Sequence, residues 1–159
     1  MLASDIGAIS DLLAEMYEEL DPEYPHIDPN EIERLTFHIL TQLKNPLAIF
    51  LIALDGKKHI GFFMGTICQH PYGKPELVGM AQEIYVVPDK RGFEVGTLLI
   101  REALKRSLAL GAQGFEAVAT PGSKGTEKRW TTLGFRPYLI YMHMGLDDAK
   151  SIFMKAKKE

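Results

Sequence analysis

The stretch Glu83–Leu104, EIYVVPDKRGFEVGTLLIREAL, decides the fold of this chain. Its opening segment, Glu83–Val87, is mostly β-branched or aromatic, which is typical of a strand, and Pro88 ends it because proline cannot donate to a ladder. From Glu94 onward the apolar residues recur at helical spacing. The stretch therefore predicts a strand, a short charged turn and a helix, in that order.

The turn between this strand and this helix has the composition of an anion-binding site. The first N–H groups of a helix lack internal partners, and the helix dipole places partial positive charge there. Gly92 and Gly96 would let a ligand approach the backbone, and Arg91 adds a planar set of donors suited to phosphate. These residues predict a pyrophosphate site, and the alternative that they leave open is an ordinary turn with solvated charges.

The composition of the chain narrows the class of protein. The 159 residues, 46% hydrophobic and 25% charged, predict a single globular domain over residues 1–159. The formal charge of −3 gives no sign of nucleic-acid binding. Cys68 is the only cysteine and the five histidines lack metal-ligand spacing, so we expect no disulfide and no metal. Without a long apolar run or a signal peptide, we expect no membrane association and a cytoplasmic protein.

Apolar periodicity and turn residues give the remaining elements. Helices are predicted over residues 5–20, 29–45, 94–110, 123–133 and 147–158, and strands over 48–54, 60–69, 77–87, 115–120 and 135–145. Asp55-Gly56 indicates a hairpin turn, and Gly61 and Gly65 indicate a bulge or a close neighbour. We expect Gly111 and Gly134 to end the helices that precede them.

Two blocks of the sequence resemble the GNAT superfamily of N-acyltransferases. The turn resembles the family's acetyl-CoA-binding motif, R/Q-x-x-G-x-G/A, with Arg91 at its first position, Gly96 at its last, and Glu94 in place of the middle glycine. The block Trp130–Phe135, WTTLGF, resembles the family's Y-x-x-L-G-F. The resemblance implies an α/β fold of the α+β type, with a mixed, mostly antiparallel, splayed sheet and helices on both faces. It also implies a strand before the first helix, which we expect to be missing or only a stub because the chain begins almost at that helix.

The resemblance assigns residues to acetyl-CoA as a cosubstrate. In the family the pantetheine arm pairs with the backbone of the central strand, and N–H groups at the start of the next helix hold the pyrophosphate. The residues that would contact acetyl-CoA here are Tyr85, Val86, Val87, Arg91, Gly92, Val95, Gly96, Thr97 and Ser123. Ser123 stands where the family often has asparagine, and capping the following helix would explain it equally well.

Glu94 opposes this assignment on two physical grounds. A carboxylate about 5 Å from a phosphate charge costs about 3 kcal/mol at an effective dielectric constant of about 20. A positive φ at this position would add roughly 1–2 kcal/mol for any residue other than glycine. A side chain that points to water would leave the N–H groups in place, and glutamate suits a first helical turn.

The resemblance makes Glu83 the candidate base that deprotonates the attacking amine. The alternative is a structural glutamate that is hydrogen-bonded beside a bulge. Trp130 stands where the family has its acidic tyrosine, and an indole is no useful acid, so we expect it to be a packing residue. Tyr138 or Tyr141 would then serve as the acid, or the thiolate would leave without one.

The chain is therefore predicted to be an acetyl-CoA-dependent N-acetyltransferase in which a primary amine attacks the thioester directly in a ternary complex. The acceptor would be a small-molecule or peptide amine, and a homodimer would fit the family. The alternative function is a non-catalytic GNAT-like module that binds acyl-CoA or a protein partner.

Overall fold

The computed structural model describes residues 3–19, 32–70, 76–92, 94–118 and 124–137. The chain divides into two compact units, Met1–Ala119 and Thr120–Glu159. The first unit contains the helices α1 (Ala3–Glu19), α2 (Ile32–Lys44) and α3 (Val95–Ala109), the strands β1 (Ala48–Asp55), β2 (Lys58–Gln69), β3 (Leu77–Val86) and β4 (Gly114–Glu116), and a short 3-10 turn, Pro88–Lys90. The second unit contains the helix α4, Lys124–Thr132.

The strands form one mixed sheet in the order β1-β2-β3-β4. The first two pairings are antiparallel, whereas β3 and β4 are parallel. The parallel pairing ends where Met80 lies opposite Glu116, although β3 continues to Val86. Residues 81–86 therefore lack a strand partner on the β4 side within the described ranges, which confirms the predicted mixed and splayed sheet.

A bulge interrupts β3 next to Glu83. Met64 of β2 lies opposite Glu83 and Gly65 lies opposite Ala81, so Gln82 is the extra residue on β3. A Cβ atom on Gly65 would lie 2.6 Å from the carbonyl oxygen of Met80. This strand glycine therefore marks both a bulge and a close neighbour, as its position in the sequence predicts.

Helices cover both faces of the sheet, as predicted. Ile9 and Leu13 of α1 belong to one buried cluster with Phe62 of β2, and Phe62 is fully buried. The neighbouring Phe63 points to the opposite face because successive strand residues alternate. On that face α3 packs so closely that a Cβ atom on Gly79 would lie 2.6 Å from the hydroxyl oxygen of Ser107.

The chain turns where glycine allows it. The hairpin forms, but Asp55 pairs with Lys58, so the two turn residues are Gly56 and Lys57 rather than Asp55-Gly56. Gly56 has a φ of 60°, which suits the first position of a type II′ turn. The predicted helix ends are confirmed at Gly111 and Gly134, whose φ values are 87° and 93°.

Two other boundaries differ from the predictions. The strand predicted over 115–120 is only Gly114–Glu116, because β3 diverges from it there. Residues 135–137 are not in a strand, and the rest of the strand predicted over 135–145 lies outside the described residues, as does the helix predicted over 147–158. Since α1 begins at Ala3 and residues 1 and 2 are outside the described ranges, the expected stub of an opening strand also falls outside them.

Candidate active site

The open edge of β3 presents the backbone of Val86. The N–H of Val87 donates to the carbonyl oxygen of Ile60 at 3.0 Å, so Val87 faces β2. Backbone groups alternate along an antiparallel strand, so Tyr85 also faces β2, whereas Ile84 and Val86 face the open side. Of the three strand residues predicted to contact the cofactor, Val86 is the one whose backbone groups point to the splay.

The segment that follows, residues 88–97, is the motif loop. Arg91 has extended backbone angles, and Gly92 has a φ of 88°. Glu94 has a φ of 62°, so the position at which the family motif has glycine does require the left-handed conformation. This conformation costs a residue with a Cβ atom roughly 1–2 kcal/mol. The Glu94 side chain is exposed and makes no capping hydrogen bond to α3.

The start of α3 supplies the backbone donors of the motif loop. The first helical hydrogen bond runs from the N–H of Leu98 to the carbonyl oxygen of Glu94, at 2.9 Å. The N–H groups of Val95, Gly96 and Thr97 precede it and so have no acceptor within the helix. Gly96 is buried and has no side chain to block an approach to these groups. The geometry suits an anion, which the helix dipole also favours.

The Arg91 side chain is engaged by other parts of the protein rather than extended over the motif loop. Its Nε donates to the carbonyl oxygen of Val86 at 2.8 Å, and its Nη2 donates to Oε2 of Glu19 at 2.6 Å. The guanidinium also lies 5.3 Å from the ring centroid of Tyr85. Arg91 therefore ties the end of α1 to the open edge of β3.

Tyr85 is the second side chain in this link. Its hydroxyl donates to Oε1 of Glu19 at 2.9 Å and lies 3.3 Å from Oε2 of Glu15. Burial, followed by the hydrogen bond to Glu19 and the nearby carboxylate charges, raises the pKa of Tyr85 above its ordinary value of 10.0. Tyr85 therefore stays protonated and keeps donating to these carboxylates at physiological pH.

The carboxylate cluster, defined as Tyr17, His38 and Glu83, lies on the α1–α2 side of the sheet. Nε2 of His38 lies 3.6 Å from Oε1 of Glu83, which is an ion-pair distance and too long for a hydrogen bond. The other carboxylate oxygen, Oε2, is shielded from solvent and has no hydrogen-bond partner among the described residues. A buried carboxylate oxygen without a hydrogen-bond donor costs free energy, so a ligand that donates a hydrogen bond to Oε2 would be favoured there.

The cluster changes the acidity of two of its members. The polar contact with Glu83 raises the pKa of His38 above 6.5, against the opposing effect of partial burial. Burial is the main reason that the pKa of Tyr17 is raised above 10.0, and the charge of Glu83 and a hydrogen bond to it add to the effect. Tyr17 is therefore a neutral hydroxyl at physiological pH, while His38 can change its charge.

In the second unit, Trp130 is a buried packing residue, as predicted. Its side chain is 6% exposed, and its ring packs edge-to-face on Phe135 with centroids 4.8 Å apart. The N–H of Phe135 donates to the carbonyl oxygen of Trp130, which completes the glycine-ended helix terminus. The remaining predicted residues of this unit, Ser123, Tyr138 and Tyr141, lie outside the described residues.

Comparison with known families identifies the chain. A sequence model of the Acetyltransferase (GNAT) family matches residues 13–135. The chain belongs to the GNAT family of acetyltransferases. The matched range contains both the motif loop and the Trp130 block, so the resemblance inferred from them is confirmed. This membership supports the predicted enzyme over the non-catalytic module.

Known proteins agree with membership of the GNAT family. An uncharacterized N-acetyltransferase of Schizosaccharomyces pombe is 29% identical over 117 residues, which cover 69% of each chain. A transcriptional regulator from Bacillus halodurans C-125 superposes with a TM-score of 0.77 at 14% identity, covering 91% of this chain and 95% of that one. The aminoglycoside N-acetyltransferase AAC(6')-Iy, in a complex with a CoA-based bisubstrate analogue, superposes with a TM-score of 0.70 at 19% identity and the same coverage. At these identities the two structures support the fold.

The GNAT fold brings four polar residues to this region: Glu15, Tyr17, Glu19 and His38. In the sequence, Glu15 and Glu19 belong to an acidic set that predicts a solvated helix end or, alternatively, an acidic rim for cationic amines, whereas Tyr17 was missed. A histidine inside a helix predicts a packing residue more often than a ligand, yet the His38 side chain is 39% exposed and its Nε2 lies 3.6 Å from Oε1 of Glu83. The position of Tyr17 could have been predicted from its spacing. Tyr17 follows the buried residues Ile9 and Leu13 at intervals of four residues, which places all three on one face of α1.

Two further findings concern only the residues that the structure describes. Among these residues there is no group of three or more His, Cys, Asp or Glu side chains that could hold a metal ion. None of the described helices has the length and apolar character that a membrane span requires.

Proposed function

We propose that this GNAT protein transfers an acetyl group from acetyl-CoA to a primary amine, which attacks the thioester directly in a ternary complex. The observation that carries the proposal is Glu83, a shielded carboxylate beside the β3 bulge whose Oε2 has no donor among the residues that the structure describes. It lies on the strand that ends at the motif loop, so one short segment would join a base to a cofactor site.

The motif loop and the open edge of β3 would hold acetyl-CoA. The N–H groups of Val95, Gly96 and Thr97 would bind the pyrophosphate, with Gly92 giving the loop its turn. The pantetheine arm would pair with the N–H of Val86, which faces the splay, whereas the Val86 carbonyl oxygen already accepts from Nε of Arg91. The structure of AAC(6')-Iy in complex with CoA, a protein of the same fold, supports this assignment.

The chemical step needs a neutral amine beside the thioester carbonyl. Oε2 of Glu83 would take one proton from the ammonium group of the acceptor. The nitrogen lone pair that this frees would attack the carbonyl carbon of the thioester. A backbone N–H on the open edge of β3 would polarise the carbonyl oxygen, and holding both substrates together would supply much of the rate. The C–S bond then breaks, CoA leaves as a thiolate, and the nitrogen loses its surplus proton to solvent as the amide forms.

The protonation of that thiolate has two candidate donors. We propose that Tyr138 or Tyr141 supplies the proton, because the indole of Trp130 is no useful acid. A thiolate that departs unassisted is the alternative, and single Tyr→Phe variants with unchanged kcat would favour it.

The acceptor class is a primary amine on a small molecule or a peptide. AAC(6')-Iy is an aminoglycoside N-acetyltransferase, so aminoglycosides belong in a test panel together with polyamines, amino acids and peptides. We also propose a homodimer, which light scattering coupled to size exclusion would test.

Calorimetry and a transfer assay test the proposed function together. We expect acetyl-CoA to bind with measurable heat, and thiol release to depend on at least one amine of the panel. No heat at millimolar acetyl-CoA would overturn the cofactor assignment. Binding without turnover on any amine would overturn the amine acceptor.

A further inference from the structure

The contact between Glu83 and His38 joins a shielded carboxylate to a group that reaches solvent. The Glu83 side chain is 15% exposed and the His38 side chain is 39% exposed. Nε2 of His38 is itself shielded and lies 3.6 Å from Oε1 of Glu83. The imidazole therefore spans the distance from the buried carboxylate to the surface, while Oε2 stays free for another donor.

The titratable and charged groups around Glu83 come from two helices. In the described part of the chain, α1 contributes Tyr17 and α2 contributes His38 and Arg34, whose charge acts on Tyr17. From β2 the opposing residue is Met64, which has no charge. Tyr17 is held neutral and an arginine stays cationic, so His38 is the group of this set that can change its charge near neutral pH.

We propose that His38 is a positioning residue for Glu83, and that it releases to solvent the proton that Glu83 removes from the acceptor amine. This role rests on the proposed function. His38 would hold Oε1 and so direct Oε2 toward the amine.

The proton balance of this step is closed. Before it, Glu83 is a carboxylate, His38 is a neutral imidazole and the acceptor is an ammonium. Glu83 gains the ammonium proton and becomes a neutral acid, and it then passes a proton to His38, which becomes an imidazolium. His38 releases that proton to water, so the pair returns to its starting state and one proton has moved from the ammonium to solvent.

His38→Gln tests the role in the full-length protein, with His59→Gln as the matched control. His59 also contacts a carboxylate through Nε2, at 3.0 Å from Oδ1 of Asp5, and it lies outside the carboxylate cluster. We expect His38→Gln to lower kcat about 10-fold, within the range of acid–base effects, with KM for acetyl-CoA unchanged. We expect His59→Gln to keep the wild-type kcat.

The pH profile separates this role from a purely structural one. Proton release from His38 is disfavoured at low pH, so wild-type kcat should fall as the pH drops through the His38 pKa, which lies above 6.5. The kcat of His38→Gln should not show this fall at low pH. In His38→Ala, added imidazole should restore kcat at least 3-fold, since the side chain is partly exposed and leaves an accessible space. A kcat profile of His38→Gln equal to wild type, or no rescue by imidazole, would overturn the inference.

An NMR titration of His38 gives a readout that does not depend on activity. The His38 pKa should lie above 6.5 in the wild type and fall toward 6.5 in Glu83→Gln. An unchanged pKa in Glu83→Gln would overturn the pairing itself. If the wild type transfers acetyl normally and both His38→Gln and His38→Ala have the same kcat as the wild type, the role of His38 alone would be overturned. A wild type inactive on the amine panel would overturn the proposed function, and the role of His38 with it.

Discussion

The motif loop follows the end of β3 and the carboxylate cluster lies beside the β3 bulge, and they are built in different ways. The motif loop is one continuous segment that offers backbone N–H groups at the start of α3. The carboxylate cluster combines side chains from α1, α2 and β3, whose positions in the sequence are far apart. We therefore expect the loop to tolerate a glutamate at a glycine position, because main-chain donors remain whatever side chain is present.

Arg91 and Glu19 connect the two regions. Arg91 belongs to the motif loop, yet its guanidinium is held by Glu19 at the end of α1, 2.6 Å away. A site built from backbone groups and a site built from side chains therefore depend on different features of the sequence. The loop depends on the course of its backbone, whereas the cluster depends on the identity of each side chain, and the following variants test that difference.

The largest effect is expected in the carboxylate cluster, from Glu83→Gln. This change keeps the shape of the side chain but removes the base, so kcat should fall about 100-fold or more. The dissociation constant for acetyl-CoA should stay within about 2-fold by calorimetry. Glu102→Gln is the control, because Glu102 is a half-exposed carboxylate of α3 that pairs with Arg106, and it should keep wild-type kcat. A kcat within about 3-fold of wild type for Glu83→Gln would show that the cluster is structural.

The next largest effect, on stability, is expected from Gly61→Ala. Gly61 lies in β2 opposite Val86, the last residue of β3 before the motif loop. Its new Cβ atom would lie 2.6 Å from the carbonyl oxygen of Tyr85 and 3.3 Å from the Cα atom of Val86. Both neighbours are backbone, so the strand must shift, and we expect a loss of about 2–3 kcal/mol in the free energy of unfolding. Denaturant melts measure it. In α1 the matched change Gly7→Ala meets no atom within 4 Å and should stabilise by about 0.5–1 kcal/mol.

A smaller effect is expected from Glu94→Gly within the motif loop. Glycine relieves the positive φ, so the protein should be stabilised by about 1 kcal/mol, and affinity for acetyl-CoA should stay the same or rise. Glu94→Gln keeps the strained backbone and removes the charge, so it separates the two contributions. A large loss of affinity in Glu94→Gly would show that the carboxylate assists binding.

The smallest effect is expected from Glu19→Gln, which weakens the link between the regions. An exposed ion pair contributes about 0.2–1 kcal/mol, so stability should change by no more than that. Arg91 would be freer to meet a phosphate, and affinity for acetyl-CoA should rise about 2- to 3-fold. Unchanged affinity in calorimetry would show that Arg91 acts through the backbone of Val86 instead.

Much of the fold follows from local sequence patterns. Continuous apolar runs predict β1 and β2, helical spacing predicts α1 to α3, and positive-φ glycines mark the turns at Gly56, Gly111 and Gly134. The motif loop was equally visible, because its chemistry depends on neighbours within ten positions. The boundaries of β4 were not visible, since they depend on where β3 diverges from it.

The sequence by itself determined the family, the motif loop and Glu83 as a candidate base, because those signals lie in short continuous segments. Only the tertiary structure decided which groups surround them. Glu19 contacts Tyr85 and Arg91 across 66 and 72 positions of sequence, and His38 reaches Glu83 from another helix. No local pattern specifies such contacts, because they form only when α1 and α2 pack against the bulged strand.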